Sequence, residues 1–330
     1  MSNDRVDSYF PTVNLVRALA VLMICLFHFA HYSDYRGKIL PDGNILLAFS
    51  NYATSLVHLF FVVSGFVIPL SLHRSHYKLS KFHRFIARRL IRLEIPYMVS
   101  IVLFLGVSAA FMWKNNMPYS IDLPRLVHHI LFSVQFSDHE WYNPIFWTLA
   151  IEMQFYLLVG LIYPLLTHKN PFVSVSTVLL FAASALLLPE FKYVTYFAPQ
   201  FAQGMVLFLL ISGALKRIPA YVYIVLLACL TVYASNVEIA VICLLGILLI
   251  DFVKIDHPWF NRLGDISYSL YLVHGLIGGN LLYFLWGNTE SIALVYLMIA
   301  ISLIASTAFA FYLWKWVEKP SHRISRKINL

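Results

Sequence analysis

Two ionisable residues, Arg17 and His28, interrupt a long apolar stretch near the start of the chain. Residues 11–31 are otherwise almost entirely apolar and are enough to cross a bilayer as one helix. Eleven positions at 100° each bring both side chains to one face of that helix, about 16 Å apart along its axis. Because ionisable groups in hydrocarbon cost several kcal/mol, the pair should face a bundle interior or a wet cavity.

A histidine in such a place has a side chain whose charge can change near neutral pH. Each residue alone has a simpler explanation, a snorkelling Arg17 and a hydrogen-bonded packing His28. The shared face favours a functional interpretation of both residues together.

Polar side chains also stand inside two later apolar stretches. Glu152 lies about ten residues into the fourth stretch, where a carboxylate must be protonated or paired. It is either a partner of Arg17 or a group that orients and ionises His28. In the ninth stretch Tyr271 and His274, with Ser267, follow the spacing i, i+4, i+7 and share one helix face. That face either holds helices together or lines a cavity with His28, and the sequence does not choose between Glu152 and His274 as its partner.

The most basic segment carries four arginines within nine residues, at 84, 88, 89 and 92. Arg84, Arg88 and Arg92 repeat every fourth residue and form one cationic stripe on a helix, with Arg89 beside it. Positive charges of this kind hold a loop at the cytoplasmic face and bind lipid phosphates. Alternatively, guanidinium groups bind the phosphates of a ligand through paired hydrogen bonds. The sequence supports the two readings about equally.

The second apolar stretch contains a pair of small residues, Ser64 and Gly65. Such a pair allows another backbone or a ligand to approach closely, and alone it is most simply a contact between helices.

The composition is that of an integral membrane protein. Of 330 residues, 60% are hydrophobic and only 12% are charged, against roughly 25% charged residues in soluble domains. The net charge of +8 does not indicate nucleic-acid binding, because most Lys and Arg fall on one side of the predicted spans. Cys25, Cys229 and Cys243 lie in predicted spans and are interpreted as small packing residues, so no metal site is expected.

Ten spans are predicted, and with them an all-α bundle with both termini in the cytoplasm. With the N-terminus inside, 18 of the 24 Lys and Arg residues lie in inner segments and five in outer ones, which is the positive-inside pattern. A short helix is expected outside the spans, within 121–136, and the basic tail is expected to contact anionic membrane lipids. The whole chain, 1–330, is expected to be a single transmembrane domain without an appended periplasmic domain. The predicted spans are 12–31, 53–72, 92–113, 143–166, 172–188, 193–213, 219–234, 237–253, 264–286 and 290–314.

Taken in order, these motifs resemble the membrane-bound acyltransferase 3 family, the integral membrane O-acyltransferases of bacterial surface polysaccharides. One motif alone is weak, whereas five in the family's order over nearly the whole chain form a specific pattern. They are Arg17 and His28 with ten residues between them, and the segments 60–66, 88–92, 147–156 and 267–274.

The resemblance implies a ten-helix domain in the bacterial inner membrane that takes an acyl group, usually acetyl, from coenzyme A at the inner face. It implies transfer to a hydroxyl of a cell-surface glycan, such as an exopolysaccharide, or of its lipid-linked precursor. On this basis we expect acetyl-CoA as the donor, O-acetylation as the reaction and no metal. The expected donor-binding residues are Arg84, Arg88, Arg89, Arg92, Ser64 and Gly65, and Trp147, Tyr271 and His274 are expected to bind the acceptor. His28, Glu152 and Arg17 are expected to be catalytic, with His28 as a general base or as a transient acyl carrier.

Two other classes of function are compatible with the same polar cavity. A transporter or flippase of a lipid-linked glycan would need no acyl donor. A scaffold subunit of an export complex would tolerate substitution of Arg17 and His28.

Overall fold

A computed structural model describes residues 8–35, 40, 43–285 and 291–330. The described residues form helices joined by turns and by the longer segments 115–122 and 131–146, and no strand occurs among them. Eight of the described helices are long and apolar enough to cross a membrane. The all-α, multi-pass architecture expected from the sequence is therefore confirmed.

The helices are numbered here in chain order. They are α1 Pro11–Tyr35, α2 Ile45–Asn51, α3 Ala53–Arg74, α4 Phe82–Lys114, α5 Leu123–Ile130, α6 Trp147–Leu166, α7 Pro171–Leu187, α8 Ala198–Ile211, α9 Arg217–Ala234, α10 Val237–Phe252, α11 Pro258–His274, α12 Asn280–Leu285, α13 Ile292–Leu313 and α14 Lys319–Arg326. Single π-helical turns, Gly275–Gly279 and Trp314–Glu318, continue α11 into α12 and α13 into α14.

Two of the ten predicted spans are not among the eight helices that are long and apolar enough to cross a membrane. The segments predicted at 172–188 and 237–253 are α7, of 17 residues, and α10, of 16 residues. At 1.5 Å per residue each covers about 25 Å, somewhat less than the roughly 30 Å of a bilayer's hydrocarbon core. These two helices therefore match the predicted positions but not the full length of a span.

Helix α4 begins ten residues before the span predicted at 92–113 and runs without interruption over 33 residues. The four arginines consequently lie on the first part of this helix, as the spacing of the cationic stripe predicted. Helix α11 likewise begins at Pro258, six residues before the predicted span, because the His257 side chain accepts a hydrogen bond from the backbone N–H of Trp259. The short outer helix expected within 121–136 is α5, whose first turn is capped by Asp122.

Helix α8 is the centre of the bundle, since every residue from Ala198 to Ile211 is buried. It crosses α3 at very short range. A Cβ atom at Gly65 would lie 2.1 Å from the carbonyl oxygen of Phe201, and one at Gly204 would lie 2.1 Å from that of Val62. Only glycine permits this approach at both positions, and the crossing fixes where α3 presents its polar residues.

Candidate functional site

A cavity of about 160 Å³ lies among α1, α3, α4, α6 and α11, close to the arginine-rich end of α4. It brings together residues from six separate segments of the chain. Those predicted from the sequence are Arg17, Ser64, Arg89, Arg92, Glu152 and Tyr271.

Glu152 is held by neighbours from its own helix and from α3. The hydroxyl groups of Ser64 and Tyr156 both donate to its Oε1 atom, at 3.3 Å and 2.5 Å. Among the described residues, no hydrogen bond joins Glu152 to His28. The geometry therefore leaves His274 as the better candidate partner of His28.

Arg89 is buried, with 7% of its surface exposed, and its guanidinium lies between two aromatic rings. The centroids of Phe85 and Tyr156 are 5.5 Å and 5.4 Å from its Cζ atom. Within the described part of the chain, no carboxylate oxygen lies within 4.0 Å of Arg17, Arg89 or Arg92. The cavity thus presents guanidinium groups whose charge no close ion pair neutralises.

A second, smaller cavity of about 30 Å³ adjoins the first where α14 packs on α4. Arg89 and Arg92 line both cavities, while Arg88 and Arg326 line only the smaller one. Arg84 is exposed and lines neither of them among the described lining residues, so its predicted contact with a donor stays a prediction.

His28 and His274 form a pair beyond the larger cavity, with ring centroids 5.1 Å apart. The Nδ1 atom of His274 lies 2.8 Å from the carbonyl oxygen of Tyr271, so Nδ1 must carry the proton. The Nε2 atom then holds a lone pair, and it is buried without a hydrogen-bond partner among the described residues. His274 is therefore a neutral imidazole with one acceptor nitrogen available near His28.

Tyr271 separates this pair from the cavity. Its ring lines the cavity on one side and lies 6.0 Å from the His274 ring on the other, measured between centroids. Its hydroxyl donates to the carbonyl oxygen of Ile145 at 3.0 Å and lies 2.9 Å from the hydroxyl of Thr148. Neither histidine lines the cavity among the described residues, and Tyr271 contacts both parts of the site.

Two predicted residues have packing contacts instead. Trp147 stacks on Phe197 at 5.3 Å and packs on Phe191 at 4.5 Å, and Gly65 meets the backbone of Phe201. Neither is among the described residues that line the two cavities. Their predicted parts in acceptor and donor binding remain predictions without a supporting contact.

Sequence reasoning missed the contribution of the chain's last segment. Glu318 is buried, accepts a hydrogen bond from Ser269 at 2.6 Å, and lies 3.6 Å from Nε2 of His322. Both Glu318 and His322 line the cavity. Their i, i+4 spacing directly after a long apolar run was an available signal, but this segment was interpreted from the sequence only as a basic tail in contact with anionic membrane lipids.

On the opposite, outer side, His129 is buried between α4 and the segment that follows α5. The backbone N–H of Tyr142 donates to its Nε2 at 3.1 Å, so Nδ1 carries the proton and donates to the hydroxyl of Tyr97 at 2.7 Å. Burial, followed by the charge of Arg125, lowers the pKa of His129 to about 4. It is a neutral structural residue and takes no part in the cavity.

The arrangement can bind a polyanion among its arginines and holds a nitrogen base on the other side of Tyr271. Among the described residues, no group of three or more His, Cys, Asp or Glu side chains is arranged to hold a metal ion.

Comparison with known proteins gives one assignment. The family model described as an acyltransferase domain, acyltransferase 3, matches residues 10–314, which is nearly the whole chain. The chain has no significant match among curated proteins or among solved structures. The extent of the match shows that the chain belongs to the acyltransferase 3 family and is a membrane acyltransferase.

Proposed function

We propose that the protein moves an acyl group, acetyl by preference, from acyl-CoA in the cytoplasm to a hydroxyl of a cell-surface glycan. The acceptor is a polysaccharide, such as an exopolysaccharide, or its lipid-linked precursor, and the protein resides in the bacterial inner membrane. The observation that supports the proposal is the cavity, which is lined by guanidinium groups without a close carboxylate partner among the described residues and by Tyr271, next to the His28 and His274 pair.

The positive charge of the cavity indicates where the acyl donor binds. Arg89 and Arg92 lie on the side that the positive-inside pattern assigns to the cytoplasm. Coenzyme A carries several phosphates, and guanidinium groups without a carboxylate partner bind phosphate oxygens through charge-assisted hydrogen bonds. Its thin pantetheine arm fits a narrow cavity between helices better than a folded glycan does.

The chemical step is assigned to His28. The acceptor oxygen attacks the thioester carbonyl carbon, the C–S bond breaks, and His28 moves the hydroxyl proton to the departing sulfur. His274 is assigned as a positioning residue. Its Nε2 has no hydrogen-bond partner among the described residues, and its ring lies 5.1 Å from that of His28, so a small turn of either ring lets Nε2 accept an N–H of His28. That hydrogen bond leaves the other nitrogen of His28 free to take the proton.

The remaining cavity residues bind the donor or keep other cavity side chains in place. Arg17 stabilises the thioester region or a donor phosphate, and Glu152 balances the arginines while fixing Ser64. Tyr271 contacts both the cavity and the histidine pair, and this position supports its role in binding the acceptor next to the thioester.

The test uses purified protein in nanodiscs, with acetyl-CoA binding and transfer measured separately. His28→Ala should abolish transfer while acetyl-CoA still binds, and the control His31→Ala, one turn further along α1, should retain both. Transfer at the wild-type rate by His28→Ala would reject the site. A wild-type protein that moves a lipid-linked glycan without binding acetyl-CoA would favour the transporter alternative.

A further inference from the structure

The small cavity between α4 and α14 is lined mainly by cationic side chains. Arg88, Arg89 and Arg92 come from α4, and Arg326 comes from the last helix. No carboxylate lines this cavity among the described residues, and none lies within 4.0 Å of these four guanidinium groups. Four like charges around one small space repel each other, and an anion bound among them would relieve that repulsion.

The exposure of the four side chains is graded. Arg89 is buried, Arg88 is half-buried, and Arg92 and Arg326 are exposed. A ligand can therefore reach the cluster from the aqueous side and meet a fixed, desolvated guanidinium at its inner end. Charge-assisted hydrogen bonds are strongest with such a group, because water does not compete for it.

The two cavities share Arg89 and Arg92. An anion in the smaller cavity is thus adjacent to whatever fills the mouth of the larger one. In coenzyme A the diphosphate is bonded directly to the pantetheine arm, whereas the 3′-phosphate stands on the far side of the ribose. A pantetheine arm in the larger cavity brings the diphosphate, and not the 3′-phosphate, to the arginine cluster.

We propose that Arg326 of the last helix completes, with Arg88, Arg89 and Arg92, a binding site for the diphosphate of the acyl donor. This inference rests on the proposed function and adds to it a residue and a choice between phosphates. It assigns part of the basic tail a ligand, where the sequence indicated only contact with membrane lipids.

The test compares Arg326→Gln with Arg323→Gln, an exposed arginine of the same helix that lines neither cavity among the described lining residues. Dissociation constants are measured in phosphatidylcholine nanodiscs for coenzyme A, 3′-dephospho-coenzyme A and pantetheine. Arg326→Gln should weaken the first two by about tenfold or more and equally, since one charge-assisted hydrogen bond is lost. It should leave pantetheine binding unchanged, and Arg323→Gln should stay within about twofold for all three. Both variants replace exposed side chains, and a thermal unfolding scan verifies that they fold.

Three results would overturn the proposal. A loss seen with coenzyme A but not with its 3′-dephospho form would assign Arg326 to the other phosphate. An Arg326→Gln protein with unchanged affinity for coenzyme A would remove Arg326 from the site, while leaving the proposed function intact. Wild-type protein that binds inorganic phosphate or phosphatidylglycerol nanodiscs, but not coenzyme A, would refute the donor site and the proposed function together.

Discussion

Replacing Gly65 by alanine separates packing from donor binding at a position that the sequence assigned to the donor. The new Cβ would lie 2.1 Å from the Phe201 carbonyl oxygen, whereas ordinary contact begins at 3.4 Å, so α3 and α8 must part by about 1.3 Å. The obstacle is backbone, and no rotamer change relieves it. Overpacking of this kind costs about 3 kcal/mol, and the better helix propensity of alanine returns about 1 kcal/mol. The net loss of about 2 kcal/mol lowers the folded-to-unfolded ratio roughly 30-fold.

Gly106→Ala is the matched control, because a Cβ at Gly106 meets nothing within 4 Å. It should leave stability unchanged or raise it by up to about 1 kcal/mol. Unfolding is followed by tryptophan fluorescence in detergent without donor, and donor affinity is measured separately on the fraction that stays folded. Gly65→Ala should unfold well below both the wild-type protein and Gly106→Ala.

The opposite pattern would refute the packing argument. If Gly65→Ala matched Gly106→Ala in stability and instead bound acyl-CoA more weakly, Gly65 would touch the donor as the sequence-based reading expected. Loss of stability with an unchanged affinity in the folded fraction would support the helix crossing.

Three further predictions concern residues outside that crossing. His129 is neutral in the folded protein, with a pKa of about 4 against about 6.5 in the unfolded chain. This difference stabilises the fold by at most about 3 kcal/mol above pH 6.5, and the stabilisation is lost as the pH falls toward 4. His129→Gln should therefore reduce the change in melting temperature between pH 7 and pH 5. His274→Asn should lower kcat about 100-fold and alter the pH profile of kcat, with acetyl-CoA affinity within about twofold, whereas a purely structural role would leave the profile unchanged. Asp251→Ala removes a 3.2 Å ion pair with Arg217 and a 2.8 Å hydrogen bond from the Tyr221 hydroxyl. It should cost about 2–3 kcal/mol in thermal unfolding, because the half-exposed arginine can turn to water but the Tyr221 hydroxyl loses its acceptor.

The helical architecture was predictable because membrane spans are local in sequence. A run of about 20 apolar residues has few alternatives in a bilayer, and the excess of inner Lys and Arg indicates the orientation. The lengths of α4 and α11 were less accessible. A helix that continues past the hydrocarbon region into a basic segment, as α4 does from Phe82, has no composition boundary at its true start.

The partners of individual polar residues were not predictable, since they depend on contacts between distant segments. The sequence left Glu152 and His274 as equal candidates to support His28. The fold separates them, because Ser64 from another helix holds Glu152 at the cavity while the crossing of α1 and α11 sets His274 beside His28. Periodicity on one helix shows which side chains share a face, but not what that face meets.

The basic tail illustrates the same limit with a functional consequence. Arg326 is one of five inner cations after the last span, and any cytoplasmic end would be expected to carry such charges. What distinguishes Arg326 is that a π-helical turn continues α13 into α14, and α14 then packs on α4 at the level of Arg88. Counting charges does not reveal that turn, because the count indicates the side of the membrane on which a residue lies and not which helix it contacts. An arginine that serves topology and one that binds a phosphate differ only in whether another helix holds guanidinium groups within reach of the same anion.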